Sequence, residues 1–334
     1  MQYSMFLVDD DPHCVWEWDI KEKNLEFLEQ IDPDYFVYLA CAHFENLKGE
    51  NGKRAALALR TGYLHGLETL FALLCATLQA PDCVVGWMQK YRPHQVRSMI
   101  KKIVSGPGTI FNKLGMTKVS LEKLSEQIHI YSNVDKERAK ETTCLFANLW
   151  VLFSSEFLED TGVNEYNSIQ HGLRVRSGGF WLSYDMEKEY GVSPPPENMR
   201  SMGGSDYGST FFATEKIKGN PNPNDRVHFR VRRNSVNWDP ESLAHALNLI
   251  SASIGNIISF LKIINGIEPG KVKFTRPQES AYFNKPWDND IGVLSTSMNM
   301  EIPSEKVKFF NKKDIVEKLG KSNLKTNLPN TRND

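Results

Sequence analysis

The chain has 334 residues, an apolar fraction of 40% and a formal net charge of −1. This length and composition favour a soluble globular protein with a sizeable core and argue against a largely disordered chain. Acidic residues are concentrated in the first fifty positions, whereas Lys and Arg dominate from residue 51 to 142. Such segregation permits a polyanionic partner but does not require one.

The cysteines and the N-terminus both indicate a cytoplasmic protein. Five cysteines, an odd number without a Cys-X-X-Cys pair, predict reduced thiols that lie mostly in the core. The first residues have no basic segment and only a short apolar run, so we expect no secretory signal. The most apolar long segment, residues 243–264, contains His245 and Asn256. It therefore predicts a buried helix, and we expect no membrane association.

In chain order, helical pieces are predicted over residues 20–48, separated at Asp32-Pro33. Apolar residues at three- and four-residue steps predict one long helix over residues 50–79, which Pro81 ends. Asp239 and Pro240 form a strong helix start, so a returning helix is predicted up to about residue 265. Further helices are predicted over residues 91–104, 120–132, 135–160 and 163–175.

Three runs between these helices have the character of β-strands, namely residues 180–184, 209–217 and 227–232. They predict a small antiparallel sheet inserted at about residues 179–236. The fold class is therefore α+β, mainly an α-helical bundle with a small antiparallel β-sheet insertion and a returning C-terminal helix. We predict one domain over residues 1–266, followed at 267–334 by a polar tail, rich in Lys and Asn and partly disordered.

Several motifs that often carry chemistry are weak in this sequence. The glycine-rich segments 106–113 and 203–208 lack the spacing of a P-loop or a nucleophile elbow, and they are interpreted as turns. The aspartates at 9–11, with His13 and Cys14, lack the repeated spacing of a closed zinc shell. A solvated acidic loop is the simpler interpretation, so no metal or other cofactor is predicted.

The predicted long helix carries Arg60, His65 and Glu68 among its apolar residues. Histidine can transfer protons near neutral pH, a guanidinium can stabilise phosphate charge, and Glu68 lies one turn from His65. The alternative is that these side chains are buried and pair with other polar groups in the core.

An arginine followed by four residues and a histidine on a helix resembles the signature of the HEPN superfamily, over residues 20–175 at most. This resemblance implies a compact helical domain and a homodimer whose interface brings together Arg60 and His65 from both subunits. Some members are metal-independent ribonucleases, so the resemblance also implies attack of the RNA 2′-hydroxyl on the adjacent phosphate. A toxin or defence setting would fit the family.

Two further clusters could contact RNA. Asn167, His171 and Arg174 have the spacing of one helical face, so they could complete a catalytic site, or they could satisfy backbone groups between packed helices. A basic strand could bind phosphate or form a solvated sheet face, and its residues are Arg226, His228, Arg230, Arg232 and Arg233.

The sequence thus supports two functional hypotheses. The first is a HEPN-like protein that binds or cleaves RNA as a metal-independent endoribonuclease, with Arg60 and His65 as its central residues. The second is a non-enzymatic helical module that binds another protein through the β insertion or the C-terminal tail.

Overall fold

The computed structural model describes residues 2–106, 110–132, 135–187, 189–216, 229–288 and 298–301, together with residues 313 and 317. The chain forms two units, one of residues 1–211 and 235–297 and one of residues 212–234 and 298–334. Long helices dominate and small antiparallel sheets accompany them, which confirms the predicted α+β class.

The first unit begins with two strands and continues mainly as helices. The strands are β1 (Gln2–Val8) and β2 (Asp11–Glu17). The helices, in chain order, are α1 (Ile20–Gln30), α2 (Asp34–Phe44), α3 (Gly52–Gln79), α4 (Val84–Lys90), α5 (Pro93–Ser105), α6 (Leu121–Ile128), α7 (Lys136–Leu158), α8 (Asp160–Gln170), α9 (Pro240–Ile264) and α10 (Lys285–Asp288).

Helices α3 and α9 form the centre of the core, as their apolar patterns predicted. Every side chain of α3 from Leu70 to Gln79 is buried, and α9 is buried along most of its length. Asp239 caps α9 by accepting a hydrogen bond from the Ser242 backbone N–H at 2.8 Å. Gly66 permits the close approach of α3 and α9, since a Cβ there would lie 3.0 Å from Ile250 Cγ2.

An N-terminal β-hairpin was not predicted from the sequence. Strands β1 and β2 pair antiparallel, and Phe6 and Val8 on the inner side are buried in the core. The turn is anchored by Gln79, which donates to the Asp9 carbonyl and accepts from the Asp9 backbone N–H. Lys102 forms ion pairs with Asp9 at 2.6 Å and Asp10 at 2.8 Å, so the predicted solvated acidic loop is partly neutralised.

The predicted three-stranded sheet is wrong for residues 180–184, whereas the strands Gly208–Lys216 and Phe229–Asn237 are neighbours in one sheet, as predicted. Strand β4 (Trp181–Tyr184) pairs instead with β5 (Arg200–Gly204) in a separate hairpin. In the first unit, β3 (Val175–Ser177) pairs with the start of β6 (Gly208–Lys216). The second unit contains the remainder of β6, most of β7 (Phe229–Asn237) and β8 (Met298–Glu301). The short 175–177 and 200–204 segments were missed because neither alternates apolar and polar residues clearly.

Packed structure continues into the predicted polar tail. Phe283 is buried, and Asn256 of α9 accepts a hydrogen bond from the Thr275 backbone N–H at 2.7 Å. Residues 267–288 therefore lie against the helices rather than forming a tail.

Helix α9 is long and apolar enough to cross a membrane, but 67% of its most apolar window is buried inside the fold. This burial is typical of a core helix. All five cysteines are free thiols, and Cys75 and Cys83 are buried as expected. Cys14, Cys41 and Cys144 are exposed, so the prediction of mostly buried cysteines is wrong.

His129 lies in the core at the C-terminus of α6, with its ring stacked on Phe146 at a centroid distance of 4.5 Å. Its Nδ1 lies 2.9 Å from the Ser125 carbonyl, and its Nε2 lies 3.2 Å from Asn256 Nδ2. These partners fit a neutral ring that donates from Nδ1 and accepts at Nε2. Burial lowers the pKa of His129 from 6.5 to about 4.

Because the folded pKa lies below the unfolded value, the unfolded chain binds a proton first as the pH falls. The stabilising contribution of neutral His129 is complete above about pH 6.5 and is lost as the pH falls towards 4. Between pH 7 and 4, we expect the free energy of unfolding to fall by roughly 3 kcal/mol more in the wild type than in His129→Gln. Denaturant titrations would measure this, with the exposed His94→Gln as control. Parallel pH profiles for wild type and His129→Gln would contradict it.

Candidate functional site

The Arg60 side chain is held by a buried carboxylate on α8. Its Nε and Nη2 donate to the same Glu165 oxygen at 3.0 and 2.9 Å. The Arg60 side chain is only 12% exposed and that of Glu165 is completely buried. The guanidinium also lies 5.5 Å from the centre of the Tyr63 ring, which supports a cation–π contact. Arg60 is thus fixed inside the subunit.

Electrostatics keep this arginine charged. Burial by itself lowers the pKa of Arg60, but the negative charges of Glu165 and Glu156 outweigh this effect, so the pKa lies above its ordinary value. Glu156 also accepts a hydrogen bond from the Tyr63 hydroxyl at 2.7 Å. Burial and that carboxylate raise the pKa of Tyr63 well above its ordinary value, so the phenol stays neutral.

Glu165 was not predicted from the sequence as the partner of Arg60. Its Oε1 accepts hydrogen bonds from Ser209 Oγ at the start of β6 and from Trp238 Nε1 just before α9. Together with Arg60 on α3, these donors satisfy both carboxylate oxygens. One buried side chain therefore connects four segments of the first unit. Its only signal in the sequence is an acidic residue at a position that helical periodicity would bury.

His65 does not share a helical face with Arg60. Five residues along an α-helix correspond to a rotation of roughly 140°. The exposed His65 ring lies 6.0 Å from the ring of Phe36 on α2, whereas Arg60 faces α8. Glu68, the predicted partner of His65, accepts a hydrogen bond from the Tyr166 hydroxyl at 2.9 Å. Within one subunit, the predicted pair therefore does not converge.

The predicted common face of Asn167, His171 and Arg174 is interrupted by the end of the helix. Helix α8 ends at Gln170, and Gly172 has a φ of 101°, so Arg174 lies on the following segment. All three predicted residues are exposed to solvent. The alternative, that they satisfy groups between packed helices, is therefore not observed.

The predicted basic strand is described only in part. Arg226 and His228 lie outside the described residues, and for Arg230 only the backbone is described, as part of β7. Arg232 is half-buried and Arg233 is exposed in the second unit.

A different surface feature lies on the outer side of the N-terminal hairpin. We call it the hairpin face, and it consists of Tyr3, Met5, Cys14 and Trp16, all exposed. Tyr3 is opposite Trp16, with ring centres 4.9 Å apart, and Met5 is opposite Cys14. A two-stranded sheet normally presents polar side chains to water on its outer side. Here Tyr3, Met5 and Trp16 are 56, 61 and 61% exposed, which is typical of a surface that binds another molecule.

No protein-family model matches the sequence, and no curated protein or solved structure is significantly similar to the chain. Among the residues that the structure describes, no group of three or more His, Cys, Asp or Glu side chains could hold a metal ion.

The Arg60–Glu165 pair should behave as a structural ion pair. In Arg60→Met, the buried Glu165 carboxylate loses its compensating charge, so we expect a loss of about 3–5 kcal/mol in the free energy of unfolding. Arg60→Met combined with Glu165→Gln should recover part of this loss, because no uncompensated charge remains. Chemical denaturation would measure both variants.

The matched control is the exposed pair of Lys123 and Glu126, which are 2.6 Å apart. Lys123→Met should leave the free energy of unfolding almost unchanged, because an exposed ion pair contributes little to stability. If Arg60→Met cost as little as this control, a structural role for the buried pair would be ruled out.

Proposed function

We propose that this protein is a non-enzymatic module that binds another protein through the hairpin face. The observation that carries the proposal is the exposed, mutually contacting pair of Tyr3 and Trp16 on a hairpin whose inner side is anchored in the core. Aromatic residues presented on a rigid scaffold are the common anchors of protein interfaces. The hairpin is such a scaffold, since Gln79 and Lys102 fix its turn.

The charges around the hairpin face indicate the chemistry of the partner. Asp11, Glu17 and Asp19 belong to the hairpin or follow it directly, and Asp11 and Asp19 are exposed. The surrounding segment is acidic, because the first fifty residues contain far more Asp and Glu than Lys and Arg. The complementary partner is a segment that combines apolar side chains with Lys or Arg. Free thiols on the surface agree with a cytoplasmic location, which forms part of this proposal.

Selection from a random peptide library on the intact protein would test this proposal. We expect the selected peptides to combine apolar residues with Lys or Arg, and their binding to weaken as salt is added. Trp16→Ser and Tyr3→Ser should each weaken binding by at least about tenfold, because exposed aromatic anchors dominate interface energies. The melting temperature should change little, since both side chains face solvent.

Trp181→Ser is the matched control, because Trp181 is 60% exposed on a different hairpin. It should leave peptide binding unchanged. Loss of binding in Trp181→Ser but not in Trp16→Ser would move the contact to the β insertion and refute the assignment to the hairpin face. A dimer that Trp16→Ser dissociates would identify a second copy of the chain as the occupant and would also refute it.

RNA cleavage remains a second proposal, and the exposure of His65, His171 and Arg174 is the observation that favours it. The ion pair of Arg60 with Glu165 speaks against it, because the positive charge of that guanidinium is already compensated by a carboxylate. In a panel of structured and single-stranded RNAs with EDTA, the protein-binding proposal predicts no cleavage that depends on His65. Cleavage that persists in EDTA and falls by about a hundredfold in His65→Ala would replace the protein-binding proposal with the RNA hypothesis.

A further inference from the structure

A polar cleft of about 470 Å³ lies between the start of α7 and the segment that follows α9. We call it the basic cleft, since three of its lining residues are Arg138, Lys273 and Arg276. Its volume is within the usual range for small-molecule sites. None of the residues predicted from the sequence lines it.

Positive charge exceeds negative charge at the basic cleft. The only anion paired with its lining cations among the described residues is Glu141, which lies 3.2 Å from Arg276. The Ser280 hydroxyl and then Arg276 lower the pKa of Glu141, so this carboxylate is charged at neutral pH. Three cations against one carboxylate leave an excess positive charge that a bound anion would neutralise.

The backbone that carries two of these cations is fixed to α9. Asn256 accepts a hydrogen bond from the Thr275 backbone N–H and donates to the Thr275 carbonyl at 2.9 Å. Ser259 donates to the Lys273 carbonyl at 2.6 Å. Arg276 is itself held by a 2.8 Å hydrogen bond from Nη1 to Thr142 Oγ1. The site is therefore preorganised, which lowers the entropy cost of binding.

The basic cleft also contains an unsatisfied polar atom. Ser132 Oγ is buried and has no hydrogen-bond partner among the described residues. A buried hydroxyl without a partner is unfavourable, because it has lost its hydrogen bonds to water. A bound water or a ligand oxygen would satisfy it. Phe274, which is half-buried, adds an apolar wall beside the cations.

We propose that the basic cleft binds a phosphate group of a small molecule, with Arg138, Lys273 and Arg276 as its cationic contacts and Ser132 as a hydroxyl donor. Phosphate suits a site of several cations and a hydroxyl, because it presents several acceptor oxygens and about two negative charges. Phe274 can pack against a ring attached to the phosphate. This inference is independent of the hairpin face and of the protein-binding proposal.

Calorimetric titration of the intact protein at constant ionic strength would test the inference with inorganic phosphate, AMP and adenosine as probes. We expect AMP to bind with a Kd of roughly 1 mM or below and adenosine to bind at least about tenfold more weakly. Tighter binding of AMP than of phosphate would indicate that the adenine ring packs against Phe274. Equal affinity for AMP and phosphate would identify a site for free phosphate. Both outcomes support phosphate recognition.

Two variants test the assignment to the basic cleft. Arg138→Gln and Lys273→Gln should each weaken AMP binding by about tenfold and leave the melting temperature without ligand unchanged, because both side chains are exposed. Lys271→Gln is the matched control, since Lys271 is exposed, lies two residues away and pairs with Glu268 at 3.1 Å. It should bind AMP as the wild type does.

Three results would overturn the inference. The first is the absence of heat and of any thermal shift with phosphate and AMP at millimolar concentration. The second is equal affinity for AMP and adenosine, which would mean that the phosphate is not recognised. The third is the same affinity in Arg138→Gln, Lys273→Gln and the wild type, or an equal loss in Lys271→Gln.

Discussion

The burial of the Glu165 carboxylate is the constraint on which the arrangement of the first unit depends. A completely buried carboxylate is very unfavourable unless charge and hydrogen bonds compensate for it. Here the compensation comes from Arg60 on α3, Ser209 at the start of β6 and Trp238 before α9. Because these donors are far apart in the chain, α8 can satisfy Glu165 only when the sheet and both central helices are in place. The carboxylate therefore selects one arrangement of these segments.

Buried amides fix other parts of the fold in a similar way. Asn24 on α1 donates to Asn265 at the end of α9 and to the carbonyl of Asp82 between α3 and α4. Gln79 joins the last turn of α3 to the hairpin, and Asn256 joins α9 to residue 275. Each amide satisfies backbone groups of a segment that has no regular partner of its own. The apolar faces of α3 and α9 build the core, and these polar side chains determine where the connecting segments lie on it.

The parts of the fold that could be predicted are those with a strong local signal. The apolar repeat predicted α3, and the Asp239-Pro240 start predicted α9. The N-terminal hairpin carried an alternating signal in Ser4, Phe6 and Val8, but Tyr3, Met5 and Leu7 are also largely apolar and obscured it. Sheet pairing depends on contacts between residues that are distant in the sequence. No local signal therefore indicated that β4 pairs with β5 and β6 with β3.

The candidate site could be predicted less well, because spacing along a sequence does not determine what a side chain faces. Arg60 and His65 have the spacing of a known signature. With 14 arginines, 8 histidines and the gaps of four to six residues that the signature allows, however, chance alone gives roughly one match. The partner that decides the role of Arg60 is Glu165, more than a hundred positions away. Likewise, the basic cleft combines residues near 138 with residues near 275, which no local motif connects.

Polar side chains that have hydrogen-bond or charge partners inside the fold differ from those that lack them. This difference separates structural residues from candidates for function. Arg60, Glu165 and His129 are polar, buried and supplied with partners, so their chemistry is already used in stabilising the fold. The hairpin face and the basic cleft have the opposite character. Apolar surface remains in water at Tyr3 and Trp16. Within the part of the chain that the structure describes, positive charge and a buried hydroxyl beside α7 also lack full compensation. Each feature costs free energy in the isolated chain that a bound partner would recover. Rigid elements hold both features in place, as expected for surfaces that bind without rearranging the fold.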